Sequence, residues 1–410
     1  MLKNSYSLFC TMRILLLGDY GAVASGGISR TVTLIADALR KDHEVKVISV
    51  LPDGSAKVIT ADASRVQEAL LPPRKRFLCN IPFLKKFVPI AFPLFAADKK
   101  RLGEEIRTFS PDIIDCHRPF YAGIALCQPY PKVFSVHGIF DKEIDYGSLP
   151  FRILYYPHKN HFRKALAAFP ALITPSAYVT SMMRVSMPGQ VFEIPPPVSD
   201  IFFTGRRKRV PGQLLCVSRV IQQKLPLEFF RNIAGVLRRD EGLRLHIIGP
   251  KTSRTHLRDI RSFVDQQGIA EQVIFHGSLG DEDLKERYAQ CEMLIHPSQH
   301  ETFGLVNAEA MAGGSPVVTM DTEGVAKEIT SGENGIVCST YPELALQVEK
   351  LHQDESLQRS VGLNGKKLAW KWKCSATMKL RIKAYEQIIA KQKVLGRENR
   401  YEDYYENRSA

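Results

Sequence analysis

Short runs of β-branched and aliphatic residues alternate along the chain with longer stretches in which apolar positions return every three or four residues. That change of period predicts strand–helix units around parallel sheets covered on both faces, because a strand buried on two sides reads as a continuous apolar run. In the first half the predicted strands are RILLLG (13–18), EVKVISV (44–50), DIIDCH (112–117), KVFSVHG (132–138), ALITPS (171–176) and QVFEIPP (190–196). The stretch PPPVSDIFFTGRRKRVPGQ then loses the periodicity and gathers proline and basic residues, as a linker does. The alternation restarts with LLCVSR (214–219), LRLHIIG (243–249), VIFHGSL (273–279), MLIHPS (293–298), SPVVTM (315–320) and NGIVCS (334–339), and turns helical from Pro342 onward.

A chain of 410 residues exceeds the ~250–300 at which a single hydrophobic core stops growing. The expected fold is therefore α/β, with two Rossmann-like doubly wound sheets in tandem: a domain at 12–200, a linker at 201–212 and a second domain at 213–368. A terminal helix at 369–392 and a loose polar tail at 393–410 follow. Each sheet presents strand C-termini at a switch-point crevice, which predicts a ligand cleft between the domains.

Composition narrows the classes. With 44% hydrophobic and 24% charged residues the chain is neither disordered nor collagen-like, and it contains no apolar run of the ~18–20 residues that would span a bilayer. The opening MLKNSYSLFCTMRILLLGDY reads as a first core strand rather than a signal peptide, since Thr11 and Arg13 interrupt it and no small-residue cleavage site follows. Eight cysteines are scattered without CxxC pairs or histidines at zinc-ligand spacing, which predicts buried thiols in a reducing, cytoplasmic compartment. The net charge of +13 favours anionic partners. It concentrates between Leu71 and Phe109, with nine Lys or Arg against three acids. The basic and aromatic segment 74–101 reads in two ways: a surface lying on an anionic membrane, or a cleft-edge helix with solvated cations. No nucleic-acid-binding module accompanies the charge, so none is expected as a partner.

Candidate chemistry gathers at four places. The densest is HPSQHETFGLVNAEAMAGGSPVV, 296–318, where a strand ends, a short loop carries Glu301 and a helix runs from about Gly304 to Met311. Unpaired amides at a helix start, around Phe303, Gly304 and Leu305, suit a diphosphate or a sugar hydroxyl. Glu301 and Glu309 are acceptors fitted to the hydroxyls of sugar and ribose, although either acid alone also reads as solvated. In VSRVIQQK, 217–224, Arg219 and Lys224 supply a fork and a point charge for a diphosphate leaving group. GDYGAVASGGISR, 18–30, is a glycine-rich turn after the first strand. His137 ends a first-domain strand, where it either hydrogen-bonds a sugar hydroxyl or is a satisfied structural residue. Asp281, Glu282 and Asp283 precede LKERYAQC and read as a helix start favoured by the dipole rather than as a metal site.

Together these elements resemble the retaining glycosyltransferase family 4 of the GT-B enzymes, from RILLLGDY to the terminal helix and most strongly at the E-x7-E pair Glu301 and Glu309. The resemblance implies a GT-B fold, with the C-terminal helix returning to the first domain. It also implies a metal-independent, cofactor-free retaining transfer from a nucleotide-diphosphate sugar to a saccharide or lipid-linked acceptor, in cell-surface polysaccharide, lipopolysaccharide or glycolipid assembly. Arg219 and Lys224 would neutralise the diphosphate, Glu309 would bind the ribose, and Glu301 with the amides after it would hold the sugar. His137 would contact that sugar, and Gly26 and Gly27 would lie beside phosphate and acceptor. The sequence departs from the pattern at Pro196-Pro197, at Ser218, at Leu225 and in a strand end with only Gly249, which bears on donor identity. Two rivals remain on the same scaffold: a non-catalytic sugar-nucleotide or polyanion binder, and a sugar-nucleotide epimerase.

Overall fold

The computed structural model describes residues 11–21, 27–50, 56–62, 64–71, 96–138, 159–184 and 189–406. They fall into two compact units. The first comprises described residues up to Thr174, Val179–Ile194 and those from Met378 onward; the second comprises Pro175–Tyr178 and Pro195–Thr377.

The first unit is built on strands β1 (Arg13–Leu17), β2 (Glu44–Val50), β3 (Ala56–Ala61), β4 (Val66–Leu71), β5 (Ile113–Cys116), β6 (Lys132–Ser135), β7 (Ala171–Thr174) and β8 (Gln190–Glu193), ordered β4-β3-β2-β1-β5-β6-β7-β8. Helices α1 (Gly27–Leu39), α2 (Ala96–Phe109), α3 (Ala122–Leu126), α4 (Lys159–Ala167) and α5 (Ala177–Arg184) occur along this part of the chain. Strands β1, β5, β6, β7 and β8 run parallel, as does β2 with β1, whereas β3 pairs antiparallel with both β2 and β4. The β3–β4 pair was not predicted. Its segments AKVITA and VQEALL carry Lys57, Gln67 and Glu68 within the runs, so they lack the unbroken apolar signal of a central strand. An edge strand needs no such signal, because only part of it is covered.

The second unit holds β9 (Gln213–Val217), β10 (Arg244–Ile248), β11 (Val273–Gly277), β12 (Met293–His296), β13 (Val317–Met320) and β14 (Ile336–Cys338), all parallel, in the order β11-β10-β9-β12-β13-β14. This is the doubly wound order, with its switch point between β9 and β12. Helices α6 (Leu227–Arg239), α7 (Arg254–Gln266), α8 (Asp281–Gln290), α9 (Leu305–Ala312), α10 (Tyr341–Gln353) and α11 (Glu355–Ala369) complete it. Successive residues of β9 point to opposite faces. Leu214 and Cys216 pack with Phe229, Phe230 and Ile233 of α6, while Leu215 packs with Tyr288, Met311 and Trp372 on the other side.

Three expectations are corrected. The stretch 201–212 is no free linker: Phe202 and Phe203 are buried in the second core, and the chain passes between the units at Ile194 and Pro195. The tail is not loose through 393–406, because α12 (Cys374–Glu406) continues across it. Among the described residues the cysteines are free, but Cys127 is exposed and Cys374 half-buried rather than buried, and Cys10 and Cys79 lie outside the described residues. From Met378 onward α12 belongs to the first unit. The basic segment from residue 74 to residue 95 lies outside the described residues; its remainder, 96–101, begins α2.

Candidate functional site

In the second unit the chain leaves β9 and β12, neighbours in the sheet, and both exits carry charged residues. After β9 a tight turn forms, with the Lys224 amide donating to the Ile221 carbonyl at 3.1 Å and the Ser218 amide donating to the Ile248 carbonyl at 2.8 Å. Gly249 is needed beside it: at φ +146° it stands so near that a Cβ would lie 2.0 Å from the Ser218 carbonyl oxygen. After β12 the loop returns toward this turn, and the Gln299 amide donates to the Gln223 carbonyl at 3.0 Å.

The two exits therefore meet. Lys224 Nζ donates to Glu301 Oε1 at 2.7 Å and to the His300 carbonyl at 2.5 Å, and His296 Nε2 lies 3.2 Å from the same Glu301 oxygen. Burial works to raise the Glu301 carboxyl, but Lys224 and His296 outweigh it and hold it well below the usual carboxylate range. Behind His296, the Thr319 hydroxyl lies 3.5 Å from Nδ1 and accepts from Asn307 Nδ2 at 3.1 Å. Asn307 is buried on α9, and its Oδ1 has no hydrogen-bond partner.

The loop ends at Gly304, which adopts the left-handed conformation (φ 83°, ψ 56°) as N-cap of α9. That backbone suits glycine and turns the chain directly into the helix. The Gly304 carbonyl accepts from the Asn307 amide at 3.0 Å and from the Ala308 amide at 3.4 Å, so the amides of Leu305 and Val306, which have no helical carbonyl before them, form the positive rim beside Glu301. Phe303 is buried edge-on against Trp372, and its carbonyl accepts from the Val325 amide at 2.7 Å. The Ser176 hydroxyl donates to the Thr302 carbonyl at 2.9 Å within the same unit.

Placement of the predicted residues is uneven. Lys224 and Glu301 come together, so the lysine expected beside phosphates is paired with the acid expected on the sugar. Arg219 shares the turn, is exposed and has no ion-pair partner among the described residues. Glu309 is not a solvated helix acid; it is buried and accepts from the Tyr288 hydroxyl at 3.1 Å. Asp281, Glu282 and Asp283 occupy the first turn of α8 behind Gly280. Sequence reasoning missed His296 and Asn307. The signal for His296 was its place at a strand end five residues before Glu301.

In the first unit, Gly27 opens α1 and Gly26 lies outside the described residues. His137 follows β6 and its Nε2 lies 2.8 Å from His117 Nδ1, the two rings stacked at 5.1 Å. His117 Nε2 faces Asp115 Oδ2 at 3.4 Å. Asp115 also accepts from Ser135 (2.7 Å), from the Tyr385 hydroxyl (2.5 Å) and from Arg381. Burial pushes the Asp115 carboxyl up, yet His117 and Arg381 together hold it well below the usual range. An ionised carboxylate only accepts, so it favours the His117 tautomer with the proton on Nε2, and His137 then donates from its own Nε2. Burial, followed by His117 and Arg381, keeps the His137 pKa well below its ordinary value, which leaves the ring neutral.

With this geometry, the family models for "Glycosyltransferase Family 4" and "Glycosyl transferases group 1" match residues 25–200 and 200–368 respectively. Glycogen synthase of Mycobacterium tuberculosis is 26% identical over 347 residues, 80% of this chain and 82% of its own length. Human alpha-1,3/1,6-mannosyltransferase ALG2 is 25% identical over 219 residues, 51% of this chain and 50% of its own length. Among solved structures, sucrose-phosphate synthase from Thermosynechococcus elongatus superposes with a TM-score of 0.73 at 17% identity, over 92% of this chain and 99% of that one. Anabaena Alr3699/HepE in complex with UDP superposes with a TM-score of 0.66 at 16% identity, over 92% of this chain and 100% of that one.

Proposed function

The chain belongs to the group 1 glycosyltransferases, with the GT-B fold of family 4, and from that premise we propose that it transfers a sugar from a nucleoside-diphosphate donor with retention and without a metal. The observation that carries this reading is the convergence of Lys224, Glu301 and His296 beside the start of α9, at the switch point of the second sheet. Negative charge develops on the departing diphosphate, and stabilising it is the largest electrostatic task. Arg219, Lys224 and the amides of Phe303, Gly304 and Leu305 take that role. Glu301, held ionised, accepts from hydroxyls of the transferred sugar, while Lys224 is shared between it and the phosphates. Glu309 receives the ribose. In the first unit, His137 hydrogen-bonds a sugar hydroxyl, and the turn at Gly26 and Gly27 serves phosphate and acceptor.

No enzymic nucleophile is required in this mechanism. The acceptor attacks from the leaving-group face through an oxocarbenium-like state, and the donor phosphate takes its proton. The acceptor is a saccharide or a lipid-linked saccharide, in polysaccharide, lipopolysaccharide or glycolipid assembly. A thermal-shift panel of UDP-, GDP- and ADP-sugars identifies the donor, because a ligand that binds only the folded state raises its stability. UDP-sugars come first, since HepE was solved with UDP-glucose. Glu301→Ala is expected to lower transfer about a hundredfold or more while leaving nucleotide binding largely intact, and Arg219→Ala to impair both. Parent-like activity in both variants refutes the assignments, and loss of transfer in EDTA with recovery in manganese refutes the metal-free route.

A further inference from the structure

A second basic site stands in the second unit, and none of the residues assigned to the donor lines it. A cavity of about 440 Å³ is bordered by the segment 205–209, by Gly313 and Gly314 and by one face of α11. Arg206, Arg207, Arg209, Arg359 and Lys366 line it, against Glu355 alone among lining acids. We propose that this cavity binds a phosphate-bearing anion independently of the sugar-nucleotide site.

The cations are of two kinds. Arg207 is fixed: its guanidinium donates to the carbonyls of Tyr288 (3.0 Å), Cys291 (2.6 Å) and Glu292 (2.8 Å) and to the Ser315 hydroxyl (3.0 Å). Arg209 is tied to Gln358 at 3.1 Å and to Glu355 at 3.2 Å, with the buried carboxylate of Glu292 at 3.7 Å behind it. These two give a preorganised positive wall with little rotamer freedom left to lose on binding. Arg206 and Lys366 have no hydrogen-bond or ion-pair partner among the described residues, and the largely exposed Arg359 reaches Glu355 only at 3.6 Å. Their charges are free to close on an anion. Arginine forks match phosphate oxygens in pairs, and a lysine adds a mobile point charge. Glycines at 205, 313 and 314 leave that part of the lining without side chains.

The site is separate from the donor cluster. Gly304 and Glu301 adjoin the start of α9 and Gly313 caps its end, so a helix of eight residues, about 12 Å at 1.5 Å per residue, separates the cavity from Glu301. Glu309, one turn before Gly313, turns its carboxylate to the Tyr288 hydroxyl and does not line the cavity. The phosphate has two possible sources: a soluble phosphorylated compound or a phospholipid headgroup. Leu363, Lys366 and Trp370 share a helical spacing with Arg359, and the first and third are 58% and 50% exposed, which is where a headgroup would bring its lipid surface.

The test uses the full chain carrying Arg219→Ala and Lys224→Ala, so that the donor site no longer contributes. Isothermal titration with inorganic pyrophosphate at physiological salt is run beside co-sedimentation with phosphatidylglycerol and phosphatidylcholine vesicles. Saturable binding of pyrophosphate is expected for a soluble source, and selective binding of phosphatidylglycerol vesicles for a headgroup. Adding Arg206→Gln and Lys366→Gln should weaken it at least tenfold, with the thermal unfolding midpoint unchanged because neither side chain has a hydrogen-bond or ion-pair partner to lose among the described residues. Arg359→Gln alone should weaken binding in the same sense. Binding of neither probe in the parent background, or binding unaffected by these substitutions, overturns the proposal.

Discussion

Glu301 is an acid set between a lysine cation and an imidazole. Its carboxylate is held ionised by Lys224 and His296, and that restraint also fixes which way its oxygens face. His296 touches the acid rather than the ligand, so it acts as a positioning residue. His296→Leu is expected to reduce kcat about tenfold, a change of about 1.4 kcal/mol in the barrier, with KM for donor changed less. The sign of the pH effect follows from the cause: without the imidazole the Glu301 pKa rises toward the ordinary range, so the acidic limb of the rate profile should move to higher pH. A parallel loss at all pH values would mean that His296 only packs. Glu301 and Lys224 were legible as residue types at strand ends, but their pairing was not, because they are 77 positions apart in the chain and only the adjacency of β9 and β12 joins them.

At the scale of elements, the site depends on how two strands finish. The end of β10 presses on the turn after β9 so closely that Gly249 admits no side chain. Gly249→Ala would combine a backbone collision with a conformation reserved for glycine, expected to cost about 3 kcal/mol. In a unit of this size that is a fall of about 6–12 °C in the unfolding midpoint. Because the displaced carbonyl belongs to Ser218, next to Arg219, nucleotide affinity measured by titration should drop as well; unchanged affinity with a lowered midpoint would uncouple the turn from the site. Central strands were readable because burial on both faces requires unbroken apolar runs. The β3–β4 pair was not, since an edge strand keeps polar residues and its register comes from its neighbour.

For the whole molecule, the C-terminal helix is a structural part of the first unit. Arg381 and Tyr385 of α12 reach Asp115, more than 260 positions earlier in sequence, and Asp115 in turn faces His117, the partner of His137. Removing one member of a buried ion pair leaves the other uncompensated, at about 3–5 kcal/mol. Arg381→Leu should therefore lower stability by that amount in denaturant titration, and Asp115→Asn combined with Arg381→Leu should lower it by less than the sum of the single changes. Additive losses would show that the two residues do not form a unit.

The sequence by itself determined the fold class, the parallel strands of the two sheets and the chemical types available at their ends, because each is written in local periodicity and composition. Tertiary structure alone decided that Lys224 neutralises Glu301, that His296 and His117 stand behind the residues first singled out, and that Phe202 and Phe203 tie the stretch 201–212 to the second core. Each of those depends on which strand ends become neighbours, and on which buried charge needs a partner from elsewhere in the chain.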